Sequence, residues 1–377
     1  MSGAEAQDHP LHARYMTRAL ELACLGLGRC SPNPPVGAVL VARGRVVGEG
    51  FHREAGGPHA EVVALARAGS QARGADCYVT LEPCCHWGRT PGCAQALAAA
   101  GVRRVFYSVA DPDSQVCGRG TGVARAAGLV VVGDVLREEA ERLYAAYLKH
   151  RRTGRPLVAA KMAVSLDGKV ATRTGKSRWI SGEDSRRLVH QWRDEYDAVM
   201  VGVGTVLADD PALTCRREDR VGRDPLRVVA DTQARTPTDA RVLAEGGAGR
   251  CIVAVGEGAP EARVQGLLAA GAEVWAMPRN AEGQVDLEAL VEALGFHGVV
   301  SVLLEGGPGL LAGALRAGVV DRLLVFYAPK VLGGARAPGM VAGAGVAEIH
   351  DGEGWRLADV RRVGEDLLVE AWRCSPA

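Results

Sequence analysis

The chain has 377 residues, 47% hydrophobic and 24% charged, with a formal net charge of +1. That length exceeds what one core usually serves and predicts two domains, and the near-neutral balance offers no charge excess for wrapping a nucleic-acid backbone. No apolar run reaches the roughly 18 residues that span a bilayer, and MSGAEAQDHP lacks the basic start and apolar stretch of a signal peptide, so a cytoplasmic chain without membrane partners is expected.

In chain order, Met16, Ala19, Leu20, Ala23 and Leu27 recur at three- and four-residue intervals, one face of a helix that begins near Leu11. SPNPPVG breaks it. VGAVLVA and RVVGEGF, joined through Arg43 and Gly44, read as a hairpin. A helix is expected from His59, a strand over residues 77–81, a helix after Pro91 and a strand over 102–108. Then come a helix over 121–127, a strand over 129–132 and a long helix to about Lys149. This alternation predicts an α/β layered domain.

KHRRTGRPL is basic, carries Gly and Pro and has no apolar period, so the domain boundary falls near residues 151–155, giving domains over 11–150 and 155–374. The second half predicts strands over 157–164, 198–203, 226–231 and 251–255, then 299–304, 322–328 and 367–372, with helices over 183–195 and 310–317 and weaker elements between. Ten cysteines do not make a disulfide framework in a chain this large. Cys24, Cys77, Cys215 and Cys251 lie in apolar surroundings and read as small buried hydrophobes.

His59, Glu61, Cys84, Cys85 and Cys93 crowd into one stretch, GPHAE to TLEPCCHWGRTPGC. Imidazole and thiolate are zinc ligands, and a catalytic zinc keeps one position open for water. His59 and Glu61 diverge on a regular helix and serve one site only at a helix start, which Gly56-Gly57-Pro58 favours. Successive side chains point apart, so Cys84 and Cys85 are alternatives as ligands. Cys85 or His86 as a fourth ligand would instead close a structural site.

The order H-x-E, P-C and a further Cys resembles the zinc nucleobase deaminases, in which zinc activates water and a non-ligand Glu moves protons. Together, PNPPVGAVLV, EGFH, PHAE, TLEPCCHWGRTPGC, DPDSQVCGRG, KMAVSLDGKVA, SRWISG, TVLADDPALTCR and LLEGGPGLLAGAL resemble the bifunctional deaminase/reductase family of riboflavin biosynthesis. The resemblance runs over about residues 15–372. It implies an N-terminal cytidine-deaminase-like α/β/α layered domain and a C-terminal dihydrofolate-reductase-like α/β domain. It implies zinc on His59, Cys84 and Cys93, with Glu61 as the proton carrier, and Asn33, His52 and Arg89 around a phosphorylated pyrimidine substrate. Two departures stand out: Cys85 replaces a usual Ser, and Asp113 replaces the Asn of a frequent D-P-N. Asp accepts hydrogen bonds without donating and would repel a phosphate.

For the second half, the glycines of LEGGPGLLAGAL follow a strand and precede a helix, where backbone N–H groups approach a phosphate. This is not the G-x-G-x-x-G fingerprint, so no Rossmann domain is implied. The resemblance implies NADPH on Ala163, Trp179, Thr205, Asp209, Thr232, Gly307, Pro308, Gly309, Leu310, Leu311, Ala312 and Gly313. It implies substrate on Ser177, Arg193, Leu213, Arg216 and Glu305, with the two arginines suited to a phosphate. Lys161 and Asp209 are expected near the reacting carbon, and relatives of this family form homo-oligomers, so a dimer or tetramer is expected.

Overall fold

The computed structural model describes residues 10–85, 92–113, 118–244 and 250–374. Arg89 and His86 therefore lie outside the described residues. The chain divides into two compact units, Met1–Gly154 and Arg155–Ala377.

The first unit runs α1 (Pro10–Cys24), β1 (Gly37–Ala42), β2 (Arg45–Phe51), α2 (Ala60–Ala68), β3 (Asp76–Leu81) and α3 (Cys93–Ala99). It continues with β4 (Arg104–Val109), α4 (Arg119–Ala126), β5 (Val130–Val132) and α5 (Arg137–Thr153). Its five-stranded sheet has the order β2-β1-β3-β4-β5. The β1–β2 hairpin and β1–β3 are antiparallel, and β3, β4 and β5 are parallel. Strand alternation sorts the side chains. Ala38, Leu40, Cys77, Val79 and Val105 pack on α2, α3 and α4. On the opposite face Val39, Val41, Tyr78 and Phe106 pack on α1, and at the ends of β3 and β4 Leu81 and Val109 pack on α5. The helix expected to stop near Lys149 continues to Thr153 and is capped by Gly154 in the left-handed region, φ 72°.

The second unit runs β6 (Leu157–Ser165), α6 (Glu183–Glu195), β7 (Ala198–Gly202), α7 (Val203–Asp209), β8 (Leu226–Ala230), β9 (Cys251–Gly256), α8 (Glu261–Ala269) and β10 (Glu273–Met277). Then follow α9 (Leu287–Phe296), β11 (Ser301–Leu304), α10 (Pro308–Arg316), β12 (Arg322–Ala328), β13 (Trp355–Val363) and β14 (Asp366–Arg373). The nine strands are ordered β10-β9-β8-β7-β11-β6-β12-β14-β13. Pairing is parallel from β10 to β12 and antiparallel onward. One face buries Val158, Ala160, Met162 and Val302 against α9 and α10. On the other, Trp192 of α6 packs on Phe326, ring centroids 5.4 Å apart.

Three local expectations are corrected. Strand β7 ends at Gly202, and Val203 starts α7, so Asp209 closes a helix and only Asp210, with φ 41°, turns the chain. Cys24 is exposed and Cys215 half-buried, whereas Cys77 and Cys251 are buried. Cys24 is the last residue of α1, past the stripe of buried positions that ends at Ala23.

Candidate active sites

His59 precedes α2 as its N-cap, with extended backbone at φ −69° and ψ 157°. It is therefore released from helical phase, and His59 and Glu61 line one cavity of about 240 Å³. Cys84 follows the C-terminal end of β3, and Cys93 opens α3. The two segments are tied by Ala94 N–H donating to the Cys84 carbonyl at 3.1 Å and by Cys93 N–H to Cys84 Sγ at 3.4 Å. His59 Nδ1 lies 3.2 Å from Cys93 Sγ and 3.5 Å from Cys84 Sγ. Zinc bonds of about 2.0 Å to nitrogen and 2.3 Å to sulfur place such donors about 3.6 Å apart along a tetrahedral edge, so the three atoms fit one zinc ion. Among the described residues, Cys85 and Glu61 lie outside this metal-binding group.

The electrostatics follow from burial. Glu61 is 4% exposed. Desolvation and the charge of Cys84 push its carboxyl up to about 6, against a hydrogen bond from Cys93. The hydrogen bond between the two thiols pulls Cys84 down and pushes Cys93 up. His52 is held neutral by burial, and its Nδ1 lies 3.0 Å from the Pro58 carbonyl, which requires the proton there. Its buried Nε2 is then an acceptor with no partner among the described residues, on a residue that lines the cavity. Asn33 lines the same space.

A cavity of about 1630 Å³ in the second unit gathers most of the other expected residues. Ser177, Arg193, Leu213, Arg216 and Glu305 line it, as do Lys161, Ala163, Trp179, Thr205, Asp209, Thr232, Gly307, Pro308, Gly309, Leu310 and Gly313. Leu311 and Ala312 do not. Both are buried on the core side of α10, and the Leu311 amide is spent within the helix on the Gly307 carbonyl at 3.1 Å. Register explains the centre of the site. Leu304 of β11 pairs with Ala160 of β6, so Glu305 and Lys161 follow side by side. Arg193 Nε and Nη2 donate to the two Glu305 oxygens at 2.6 and 2.9 Å, and Nη1 to the Thr214 carbonyl at 3.2 Å. These three bonds engage Nε and one N–H on each terminal nitrogen of Arg193, which lines the cavity beside Arg216. Burial pushes the Lys161 ammonium down, with Glu305 opposing and Arg193 adding to the shift. Asp209 accepts from Ser177 Oγ at 3.4 Å and faces Arg178 Nε at 3.5 Å.

Residues 156–369 match the model of the RibD C-terminal domain, and residues 10–109 match the cytidine and deoxycytidylate deaminase zinc-binding region. The riboflavin biosynthesis protein RibD of Escherichia coli (strain K12) is 41% identical over 368 residues, covering 94% of this chain and 97% of the relative. The chain belongs to the RibD family. The RibD of Bacillus amyloliquefaciens is 40% identical, covering 95% of each chain. The solved RibD of Acinetobacter baumannii, 35% identical, superposes with a TM-score of 0.86 over 97% of this chain and 99% of that one. A diaminohydroxyphosphoribosylaminopyrimidine deaminase/5-amino-6-(5-phosphoribosylamino)uracil reductase from Thermotoga maritima, 36% identical, gives 0.84 over the same shares.

Against this RibD framework, several site-forming residues had not been singled out from the sequence. The Glu82 carboxylate accepts from Gly118 N–H and Thr121 N–H, both at 3.1 Å, and so ties the start of α4 to the Pro83-Cys84 segment. Gly120 completes that contact: a Cβ there would stand 1.7 Å from the Pro83 carbonyl oxygen. Asp111, Tyr147 and Arg151 line the first cavity. His190 lines the second, where its Nδ1 accepts from Arg216 N–H at 3.2 Å. Glu82 and Asp111 lie inside the quoted motifs TLEPCCHWGRTPGC and DPDSQVCGRG and were findable; Tyr147, Arg151 and His190 lie on helices whose sequence shows no sign of a site.

Proposed function

We propose that this chain catalyses two successive steps of riboflavin biosynthesis, a hydrolytic deamination in residues 11–150 and an NADPH-dependent reduction in residues 155–374. The first converts 2,5-diamino-6-ribosylamino-4(3H)-pyrimidinone 5′-phosphate and water into 5-amino-6-(5-phosphoribosylamino)uracil and ammonia. The second opens the ribosyl group to ribityl, giving 5-amino-6-(5-phosphoribitylamino)uracil. Support comes from the family models over both halves and from the double activity in the name of the Thermotoga maritima relative.

The observation that carries the first half is the buried Glu61 carboxyl beside, and not within, the His59–Cys84–Cys93 group. Those three residues would hold zinc, which would lower the pKa of water to about 7 and so supply a nucleophile at neutral pH. Glu61, whose burial favours the protonated carboxyl, accepts the water proton and passes protons to the ring nitrogen and the departing amine. His52 Nε2 accepts from a donor of the pyrimidine-ribose, Asn33 offers both a donor and an acceptor, and the positive charge of Arg89 serves the phosphate.

In the second half NADPH, held at the start of α10, would supply the hydride to C1′. The backbone of Gly307 to Leu310 at the start of α10 receives cofactor phosphate, with Gly313, Ala163, Trp179, Thr205, Asp209 and Thr232 along the cofactor. Ser177, Leu213 and Arg216 hold the substrate, and Glu305, fixed by Arg193, orients it. Lys161, whose burial makes its proton easier to give up, protonates the ring oxygen that leaves C1′. The reading also makes the enzyme a cytoplasmic homo-oligomer, dimer or tetramer, that acts on small molecules and not on nucleic acid. The net charge of +1 supports the last point, and among the described residues no helix is long and apolar enough to cross a membrane.

The test is Glu61→Gln, with ammonia release and NADPH absorbance followed separately. Deaminase turnover should fall by more than about 100-fold while zinc stays bound and the reductase still consumes the deaminated intermediate. Undiminished ammonia release would remove Glu61 from the mechanism.

A further inference from the structure

Arg151 lies in the last turn of α5 and lines the first cavity with Asp111, Asp113 and Tyr147. Among the described lining residues it is the one lysine or arginine, against the four carboxyls of Glu61, Glu82, Asp111 and Asp113. Its guanidinium is held from two sides. Nε stands 3.9 Å from Asp113 Oδ2, and the carbon of the fork lies over the Tyr147 ring at 5.4 Å from the centroid. Tyr147 is anchored in turn by donating its hydroxyl hydrogen to Asp111 Oδ1 at 2.9 Å. The ion pair with Asp113 is longer than a hydrogen bond. With a further hydrogen bond to the Tyr147 hydroxyl, these contacts engage at most two of the five N–H donors.

We propose that Arg151 binds the 5′-phosphate of the deaminase substrate, and that Asp113 is the counter-charge that holds the empty guanidinium in place. This rests on the deaminase reading above and extends it. A cavity ringed by four carboxyls repels a phosphate dianion unless cations in its wall offset them, and among the described lining residues Arg151 is the side chain that does so beside Asp111 and Asp113. A guanidinium does this better than an ammonium, because its planar fork meets two phosphate oxygens at once. The pairing also accounts for Asp113, whose charge alone would oppose the substrate. Beside Arg151 that charge is offset, and the free donors remain for the ligand. Asp113 is a positioning residue in this scheme and Arg151 a binding residue.

The experiment uses the full chain with zinc and measures ammonia release from two substrates, the phosphorylated pyrimidine and its dephosphorylated ribonucleoside. In Arg151→Gln, kcat/KM for the phosphorylated substrate should fall about 10- to 100-fold, through KM. The value for the ribonucleoside should hold within about twofold, and Arg151→Lys should recover part of the loss. Adding Asp113→Asn to Arg151→Gln should lower KM for the phosphorylated substrate alone. Reductase rate and zinc content report on folding. Equal losses on both substrates, or none, would overturn the assignment. A wild-type chain that deaminates neither substrate sinks the deaminase reading as well, whereas normal turnover by Arg151→Gln sinks only this inference.

Discussion

Arg193→Met should destabilise the second unit far more than loss of an ordinary ion pair. Exposed pairs are worth about 0–1 kcal/mol, but the Arg193 and Glu305 side chains are only 13% and 8% exposed. The substitution removes two hydrogen bonds to the carboxylate and one to the Thr214 carbonyl. It leaves a buried anion whose remaining cationic neighbours are Lys161 and, when charged, His190. Breaking a buried pair from one side costs about 3–5 kcal/mol, which for a unit of this size lowers Tm by about 6–20 °C. Urea titration followed by tryptophan fluorescence reads this directly, since Trp192 is adjacent in sequence and 8% exposed. Arg193→Met combined with Glu305→Leu should regain most of the loss, because no buried charge then remains. Burial pushes the Glu305 carboxyl up, but the Arg193 charge and hydrogen bonds outweigh it and hold the group below its usual range. The stabilisation from the pair is therefore present above about pH 4.3 and fades in acid, where wild type and variant should converge. A cost under about 1 kcal/mol, or a double variant no more stable than the single, would refute the reasoning.

Cys84→Ser or Cys93→Ser should abolish both bound zinc, read by atomic absorption, and deamination. Cys85→Ser should leave about one zinc per chain and normal turnover. Gly120→Ala forces the Pro83 segment to move, because the new Cβ would meet the Pro83 carbonyl at 1.7 Å. Deaminase kcat/KM should drop at least about tenfold while the reductase rate is kept. His190 is lowered to about 4 by burial and by the charges of Arg193 and Arg216. Its folded value lies below the unfolded value of about 6.5, so protonation favours the unfolded chain. The second unit should lose up to about 3 kcal/mol as pH falls from about 6.5 to 4, and His190→Gln should flatten that limb in denaturant titrations at several pH values.

Strong periodicity made most of the fold legible. The helix expected over residues 183–195 is the observed Glu183–Glu195, and the hairpin through Arg43 and Gly44 forms as read. Residue types and spacing pointed to a metal group but left Cys84 and Cys85 as alternatives; the family resemblance chose Cys84, and His59, Cys84 and Cys93 do lie together. α7 was missed because VGTVLAD, with a glycine and two valines, continues a strand pattern. β13 was missed because it is mostly exposed at the sheet edge, where burial imposes little alternation. Arg151 was read as part of a basic linker, because KHRRTG carries no apolar period to extend α5. The Arg193–Glu305 pair spans 112 positions, and nothing local to either residue announces the other.

The placement of β11 has a consequence for synthesis and assembly. It inserts between β6 (Leu157–Ser165) and β7 (Ala198–Gly202), although β11 itself begins only at Ser301. Until that wedge enters, Lys161 has no Glu305 for a neighbour and the early strands have no continuous ladder to share. Non-local pairing of this kind folds slowly, so NADPH oxidation in a refolding chain would emerge as a late, all-or-none signal that times the closing of the sheet.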